Sequence, residues 1–440
     1  CIIWYRNKNI CKQKYHGFLL KEREENDLYF QVNICDKHKN TARWLLSAYP
    51  LFVPCVSNNT KKVNLITLGS TPFLYNTIKE AMSCCYMSKC TLTITAIDTD
   101  ISLMEKQFKQ EASGLYANPP IKNKLIPEFI SLDLLGPSLE NSIANKSEEK
   151  ARDELAQGNY FVVDVGSDFE NIKLARRLRT YFLRHDRNFR RLPFIAVRIT
   201  DPRNAYLAER LTVGNKAPDK YWYNNYNLCV FCDCGPSFDR INLIEKLGMN
   251  IHLSYYDKDK VGGTKTYYRH SYNRDSSEAA AVSLIYRMFD CDIMYQNCAE
   301  YSEMNFEKLK ALAIEYSTKI SNDDLILNQC AAAEQTRFNW SLLVNGWSYA
   351  DPSQVHAYMS ESKSTSHKQE LAKLHPFLFD FDEFTKSREE GSKFDILKSY
   401  LGDSNLKNPK DSTIGAVKNV LEYFKENGAQ KGIDNIKEER

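Results

Sequence analysis

The stretch "KKVNLITLGSTPFLYNTIKEAMSCCYMSKCTLTITAIDTD", residues 61–100, decides the fold. An apolar run follows two lysines, and a Gly-Ser-Thr-Pro turn ends it. A segment with helical spacing then leads into a second apolar run that finishes in acidic residues. Strand and helix patterns that alternate indicate a parallel sheet, because two parallel strands need a crossover helix between them. The stretch therefore predicts a βαβ unit.

The turn and the acidic end of this unit are candidate ligand-binding positions. In dinucleotide-binding folds the first turn presents backbone amides and a helix N-terminus to a pyrophosphate, and an acid after the second strand binds the ribose hydroxyls. Gly69, Ser70 and Thr71 would form the phosphate turn, and Asp98 and Asp100 would be the ribose acids, for NAD or another nucleotide. The turn has one glycine where the fingerprint has three. The alternative is a doubly wound sheet that has lost or changed its ligand.

The same pattern returns further along the chain. Apolar runs at residues 161–165 and 194–199 flank an amphipathic helical segment, and "NLCVFCDCG" indicates another short strand. Residues 59–240 are therefore predicted to form an α/β domain with a doubly wound, Rossmann-like parallel sheet. Residues from about 112 to 158 fit no element of this pattern, and we interpret them as an insertion.

The second half of this domain resembles a known family. "VDVGSDFENIKLARRLR" followed by "PFIAVRITDPRNAYLAERL" is similar to the Rossmann domains that regulate potassium transport and conductance. In that family an acidic turn lies beside the bound nucleotide. The resemblance therefore implies that Asp164, Gly166 and Asp168 line the ligand site.

A second resemblance begins after a predicted helical connector, residues 241–325, in which Ser276 or Ser277 would cap the helix of "SSEAAAVSLIYRMF". "AAAEQTRFNWSLLVNGWSYADPSQ" and "HKQELAKLHPFLFDFDEFTKSREEGSKFDILKSYL" resemble the RyR domain, the repeat of ryanodine receptors. The matching positions are Glu334, Arg337, Trp340, Gly346, Trp347, Tyr349, Lys373, His375, Pro376, Leu378, Phe381 and Phe384. The family's glycine after the tyrosine is Ala350 here, and the loop at residues 351–369 is longer than is common. The resemblance implies a small, mainly α-helical domain at residues 326–402.

The aromatic residues of this motif have two interpretations. Gly346 frees the backbone to turn at a helix end, so Trp347 and Tyr349 either fill the small helical core or form one wall of a recess. In the second case a planar ligand would meet Trp347, Tyr349 and His375, while Lys373 and Arg337 would supply charge to its phosphates. The candidate ligand-binding residues of this domain are Arg337, Trp340, Trp347, Tyr349, Lys373 and His375.

Composition restricts the class of protein. The chain has 440 residues, a net charge of +3 and 13 cysteines without framework spacing, which predicts a multidomain protein of a reducing, cytoplasmic compartment. Residues 1–58 begin with "CIIWYRNKNICKQKY", which is similar to the cytoplasmic exit of a membrane helix. The alternative is an ordinary basic strand. We therefore expect a cytoplasmic module, placed after a transmembrane segment at the cytoplasmic face of a membrane.

The predicted function is ligand sensing by a regulatory module that controls a membrane channel or effector, with bacterial antiphage signalling as a setting by analogy. A nucleotide-derived small molecule and a homo-oligomer are expected; direct nucleic-acid binding, a metal site and enzymatic activity are not. The alternatives are a soluble interaction scaffold with filled pockets and a divergent NAD-dependent oxidoreductase. Residues 403–440 are predicted to be a C-terminal helix and polar tail.

Overall fold

The computed structural model describes residues 2–5, 33–136, 146–185, 193–204, 228–232, 238–256, 260–293, 306–362, 368–385, 395, 399 and 409–438. Its first two strands, β1 (Ile2–Tyr5) and β2 (Asn33–Asp36), pair in parallel as a separate small sheet. The basic run at residues 6–14, expected to follow a membrane span, lies outside the described residues. Among the described helices, none combines the length and the apolar character that a bilayer span requires.

Six further strands form one all-parallel sheet. They are β3 (Lys62–Leu68), β4 (Thr91–Asp98), β5 (Glu128–Ser131), β6 (Tyr160–Val163), β7 (Phe194–Ile199) and β8 (Leu228–Cys232). Their order across the sheet is β5-β4-β3-β6-β7-β8, with each neighbouring pair parallel. Counted from β3 this is the order 3-2-1-4-5-6 of doubly wound sheets. The predicted Rossmann-like α/β fold is confirmed.

Helices cover both faces of the sheet. In β3, Val63 and Leu65 belong to one hydrophobic cluster and Ile66 and Leu68 to another, because successive side chains of a strand point to opposite faces. The first face is covered by α3 (Pro72–Cys84) and α4 (Ser102–Glu111), which is followed by the short α5 (Ser113–Tyr116). The second is covered by α6 (Lys146–Gln157) and α7 (Asp168–His185).

The region interpreted as an insertion instead completes the sheet. The interpretation of residues 112–158 was wrong, because β5 lies within them and pairs with β4 from Thr95↔Glu128 to Asp98↔Ser131. The sequence of β5, EFIS, has only two adjacent apolar residues, so it lacks the apolar run by which the other strands were recognised. The stretch thus supplies the third strand of the sheet and the helix that leads to β6.

The predicted N-terminal segment and connector share the core of the sheet domain. Helices α1 (Lys37–Ala48) and α2 (Val53–Asn58) pack with the first face of the sheet through Leu45, Leu46 and Phe52. These side chains belong to the same cluster as residues of the connector and of the C-terminal region. The boundaries drawn at residues 58 and 240 therefore do not separate independent cores.

The remaining elements are helical apart from one short strand pair. The connector contains α8 (Phe238–Leu253), α9 (Lys260–Arg269), α10 (Ser271–Asp290) and α11 (Phe306–Asn322); the C-terminal region contains α12 (Asp324–Val344), β9 (Ser348–Tyr349), α13 (Pro352–Ser362), β10 (Leu374–His375), α14 (Asp382–Thr385) and α15 (Pro409–Glu438). The cap predicted at Ser276 or Ser277 was wrong, since α10 begins at Ser271. The extra turn is held by a tertiary contact, the packing of Tyr272 on Trp347.

Candidate functional site

The turns after β3 and β6 meet where the strand order reverses, a place we call the switch point. Gly69 has a φ of +118°, and its amide donates to the Ile97 carbonyl at 2.9 Å. A Cβ atom on Gly69 would lie 2.1 Å from the carbonyl oxygen of Asp164, so a larger residue does not fit. The structure therefore brings the predicted phosphate turn and the predicted acidic turn into direct contact.

The Asp164 carboxylate at the switch point is occupied by the protein's own donors. It is 1% exposed. Its Oδ2 accepts from Thr71 Oγ1 at 2.5 Å and from Arg198 Nη1 at 2.6 Å, and its Oδ1 accepts from Asn171 Nδ2 at 3.3 Å. Thr71 is also the N-cap of α3, so a carboxylate already lies at the helix end to which a phosphate was expected to bind. Asp164 therefore links three segments of the fold.

Asp168 has a similar internal role at the start of α7. Its Oδ1 accepts from the Thr200 amide at 2.7 Å and hydroxyl at 2.8 Å, and its Oδ2 accepts from the Asp201 amide at 3.0 Å and Asn204 Nδ2 at 2.8 Å. Burial raises the pKa of Asp168, but these hydrogen bonds stabilise the charged form and leave the pKa below its usual range. The carboxylate fastens the loop after β7 to the helix.

The other predicted residues of the sheet edge lie closer to solvent. Ser70, Gly166 and Asp100 are exposed, and Asp98 is half-buried. Asp98 accepts from the Thr99 amide at 2.8 Å, and Asp100 accepts from a serine hydroxyl in the first turn of α4. Apart from its two chain neighbours, no described residue has an atom within 4 Å of a Cβ built on Gly166. All four residues are more accessible to solvent than Asp164 and Asp168, which are buried.

The C-terminal end of α12 confirms the predicted role of Gly346. Gly346 has a φ of +81°; its amide donates to Leu343 O and the Trp347 amide donates to Leu342 O, both at 3.0 Å. This is the Schellman pattern, in which a left-handed residue ends a helix. Lys373 Nζ also donates to the carbonyl of Asn345 at 2.7 Å, which places a cation at the negative end of the helix dipole.

The short pairing of β9 with β10 brings the two halves of the motif together. Ser348 lies opposite Leu374, and Tyr349 lies opposite His375. Trp347 is 5% exposed, and its ring lies 4.6 Å from that of Tyr272 and 5.9 Å from that of His375. The Tyr272 hydroxyl and His375 Nε2 are 3.4 Å apart. Trp347 therefore belongs to the packed core. Whether it also forms one wall of a recess depends on what lies next to the rest of its side chain.

Arg337 and Trp340 connect the C-terminal region to the sheet domain. The Arg337 guanidinium is buried; it donates to the Glu334 carboxylate at 2.6 to 3.0 Å and, through Nη1, to the carbonyl of Ser83 at 2.9 Å. Trp340 Nε1 donates to the carbonyl of Asn123 at 3.0 Å. Contact between Arg337 and a ligand would therefore require this ion pair to open.

A cavity of about 230 Å³ lies where the sheet domain, the connector and the C-terminal region meet, and we call it the junction cavity. Helices α1, α3 and α10, the C-terminal end of α12 and the segment before β10 all contribute to it. Trp347 and Tyr272 supply aromatic surface, Lys373 and Glu370 come from the segment before β10, and Ser83 comes from α3. Trp347 is thus both a core residue and part of a cavity wall.

Charged groups in the junction cavity form ion pairs. Arg43 Nε donates to Glu80 Oε2 at 2.7 Å, a second guanidinium nitrogen donates to Glu278, and Lys39 Nζ lies 3.2 Å from Asp275 Oδ1. Burial lowers the pKa of Arg43, but the two glutamates outweigh it and raise this pKa. Among the described residues of the lining, three are cations (Lys39, Arg43, Lys373) and three are anions (Glu80, Asp275, Glu370), so their formal charges cancel.

Ser83 has a polar atom that the surrounding protein leaves unused. The residue is 2% exposed, and its hydroxyl has no hydrogen-bond partner among the described residues. A buried hydroxyl without a partner costs about 1–3 kcal/mol. Ser83 is also one of the residues that line the junction cavity.

Sequence reasoning missed most residues of the junction cavity. Arg43 lies in the apolar run "TARWLLSA", and Glu80 and Ser83 are one helical turn apart on α3. A charge inside an apolar run was the available signal, since buried charges are paired or functional. The sequence could not show that these residues lie close together, because the segments that form the cavity are far apart in the chain.

Comparison of the chain with protein-family models, with curated proteins and with solved structures finds no match in any of the three. The resemblances to the potassium-regulating Rossmann domains and to the RyR domain therefore stay predictions.

Proposed function

We propose that the chain is a ligand-sensing regulatory module and that a nucleotide-type ligand binds in the junction cavity. The observation that carries the proposal is the position of this cavity. It lies between helices of the sheet domain, the connector and the C-terminal region, and it contains an aromatic wall and the unused hydroxyl of Ser83. Ligand sites occur preferentially between domains and combine apolar walls with a few polar groups that fix orientation.

The size of the cavity limits which part of a ligand it encloses. Pockets for drug-sized ligands have volumes of about 300–1,000 Å³, and the junction cavity has about 230 Å³. It suits one planar base, not a whole dinucleotide. The base would lie beside Trp347, since bases pack on aromatic side chains without needing a specific sequence of hydrogen bonds. The Ser83 hydroxyl would bond to a ring nitrogen or carbonyl of the base.

The phosphates would lie at the rim, beside Lys373. Burial lowers the pKa of Lys373, the neighbouring ammonium of Lys79 lowers it further, and Glu111 raises it. Lys79 already pairs with Glu111, whose Oε2 lies 2.9 Å from Lys79 Nζ, so a phosphate would be attracted chiefly by Lys373. The aromatic wall and the ammonium group of Lys373 agree with a ligand that has a neutral base and a charged end.

A ligand at this position has a direct route to a regulatory output. Helices of all three parts of the molecule contact the cavity, so a ligand that prefers one arrangement of them shifts the population toward it. We propose that this shift acts on a membrane channel or effector at the cytoplasmic face of a membrane, within a homo-oligomer, with antiphage signalling as the setting by analogy. Use of NAD as a redox cofactor is disfavoured by the internal bonds of Asp164 at the switch point.

Thermal melting of the purified chain tests the proposal. The ligand panel would contain nucleoside monophosphates, NAD and cyclic oligonucleotides. We expect a rise of several degrees with at least one ligand, lost in Lys373→Asn and in Trp347→Leu but kept in Asp98→Ala. Asparagine tolerates the left-handed conformation of residue 373, so the first variant should fold. Lys109→Ala, at an exposed lysine of α4, is the control for loss of positive charge.

Three outcomes separate the alternatives. A shift that is lost only in Asp98→Ala would move the site to the sheet edge. A well-folded protein that no nucleotide stabilises would overturn the sensor proposal and leave the interaction scaffold. Oxidation or reduction of the nicotinamide by the protein would identify a divergent oxidoreductase.

A further inference from the structure

We infer that Cys55 and Cys90 form a site of reversible oxidation, in which a hydroperoxide converts the two thiols into a disulfide. The two residues are 35 positions apart in the chain, and their Sγ atoms lie 3.2 Å from each other. A disulfide has an S–S bond of about 2.05 Å, so the sulfurs would approach by only about 1 Å. Cys55 lies in α2, and Cys90 lies directly before β4.

The two thiols differ in access to solvent. Cys55 is 6% exposed, whereas Cys90 is half-buried. A small oxidant can therefore reach Cys90 in the folded protein, whereas Cys55 is largely shielded from solvent. This arrangement is the one expected of a redox pair, with an accessible thiol that reacts first and a neighbour that resolves the product.

The surroundings also favour Cys90 as the reacting thiol. Contact with Cys55 lowers the pKa of Cys90, burial and Asp290 oppose this effect, and the ammonium groups of Lys89 and Lys61 add to it. The same contact raises the pKa of Cys55. A lower pKa gives a larger thiolate fraction, and the thiolate is the form that attacks a peroxide.

The chemical steps balance with a hydroperoxide as oxidant. The Cys90 thiolate attacks one peroxide oxygen, the O–O bond breaks, and hydroxide or alkoxide leaves and takes up a proton. This gives a sulfenic acid on Cys90. Cys55 then attacks the Cys90 sulfur, the S–S bond forms, the S–O bond breaks, and water leaves. The thiols lose two electrons and two protons, and a cellular dithiol reverses the reaction.

The disulfide would fasten α2 to the N-terminal end of β4. Thr91 already donates its amide to the carbonyl of Lys61 at 2.8 Å, so the starts of β3 and β4 are held together beside Cys90. The new bond would close a loop from α2 through β3 and α3. Closing a loop of this length stabilises the native state through the unfolded chain, and we expect a rise in melting temperature of about 5 °C.

The chain offers an internal control at a second cysteine pair. The Sγ atoms of Cys291 and Cys330 lie 3.1 Å apart, almost the same distance, but these residues are 6% and 1% exposed. If access decides reactivity, Cys55–Cys90 should oxidise first and Cys291–Cys330 should stay reduced in the folded protein. Distance alone would make the two pairs react equally.

Peptide mapping by mass spectrometry tests the inference on the full chain. The reduced protein is treated with hydrogen peroxide at about one equivalent, quenched by alkylation and digested. We expect a Cys55–Cys90 disulfide that dithiothreitol removes and no Cys291–Cys330 disulfide. In Cys55→Ser we expect a Cys90 sulfenic acid that a dimedone-type reagent traps. Cys90 present as a sulfinic acid without any disulfide, or equal oxidation of both pairs, would overturn the inference.

Discussion

The two ends of helix α3 use their polar groups in opposite ways. At its N-terminal end, the switch point, Thr71 and Arg198 both donate to one oxygen of Asp164. At its C-terminal end, Ser83 lines the junction cavity, and its buried hydroxyl has no partner among the described residues. Sequence patterns proposed a ligand site at the first end; at the second they pointed to Trp347 and Lys373 but not to Ser83.

The difference shows that a helix terminus alone does not make a ligand site. The backbone at the switch point has the turn and the left-handed glycine that suit a phosphate, but an internal carboxylate already takes the place near the helix end. A ligand site requires hydrogen-bond donors or acceptors that are not already paired with other groups of the protein. By that measure the junction cavity is the better site.

The largest expected effect is on stability, from Asp164→Asn at the switch point. The substitution removes the charge that Arg198 pairs with, and the side chains of the pair are 2% and 6% exposed. Breaking a buried ion pair from one side costs about 3 kcal/mol or more in the free energy of unfolding. Urea unfolding of wild type and variant measures this loss.

The matched control is Asp100→Asn, which alters an exposed carboxylate after the same sheet edge and should leave stability unchanged. The double variant Asp164→Asn with Arg198→Met should recover part of the loss, since it leaves no unpaired charge. If Asp164→Asn were as stable as wild type but lost a nucleotide-induced shift, the switch point would be a binding site and the comparison would fail.

The second prediction concerns the other end of α3. Ser83→Met should abolish the nucleotide-induced shift, because its side chain fills part of a 230 Å³ cavity. Ser83→Ala removes a buried hydroxyl that has no described partner, so it should raise the melting temperature slightly and weaken binding by about tenfold, the value of one hydrogen bond. Isothermal titration calorimetry separates the two variants.

Retained nucleotide binding in a folded Ser83→Met protein would contradict the assignment of the cavity. Thr77→Val, on the same helix but away from the cavity, is the control for changes to the packing of α3. Its hydroxyl donates to the Phe73 carbonyl at 3.0 Å within the helix.

The parts of the structure that the sequence predicted correctly are those with clear sequence patterns. The β3–α3–β4 unit was readable because strands of seven and eight residues flank a capped helix. The left-handed turn at Gly346 was readable because glycine has few other reasons to follow a helix. By contrast, β5 was missed because its sequence, EFIS, has only two adjacent apolar residues, and most of the junction cavity was missed because α1, α3, α10 and α12 meet only in three dimensions.

The third prediction places a pH dependence on ligand binding at the cavity rim. The pKa of Lys373 is lowered by burial and by Lys79, so its ammonium loses its proton at a lower pH than an ordinary lysine. As pH rises through that lowered pKa, contact with a phosphate weakens, and affinity should fall several-fold before a lysine of ordinary pKa titrates. Titrations with the best nucleotide between pH 7 and pH 10 measure the fall.

Lys373→Arg distinguishes this cause from general effects of alkaline pH. Arginine keeps its charge over the whole range, so the variant should bind with a flat pH profile. An equal fall in wild type and variant would mean that Lys373 does not meet the phosphate.

The smallest expected effect is an acid dependence at the switch point. Asp168 has a pKa below that of the unfolded chain, because four hydrogen bonds outweigh its burial. Such a group stabilises the fold above its unfolded pKa of about 3.9, and this contribution disappears as pH falls through the lower, folded value. Asp168→Asn should therefore be less stable than wild type at pH 7, and the difference should shrink toward pH 3. Urea unfolding at both values measures it. A difference that stayed constant would show that the bonds to Asp168 depend on its shape and not on its charge.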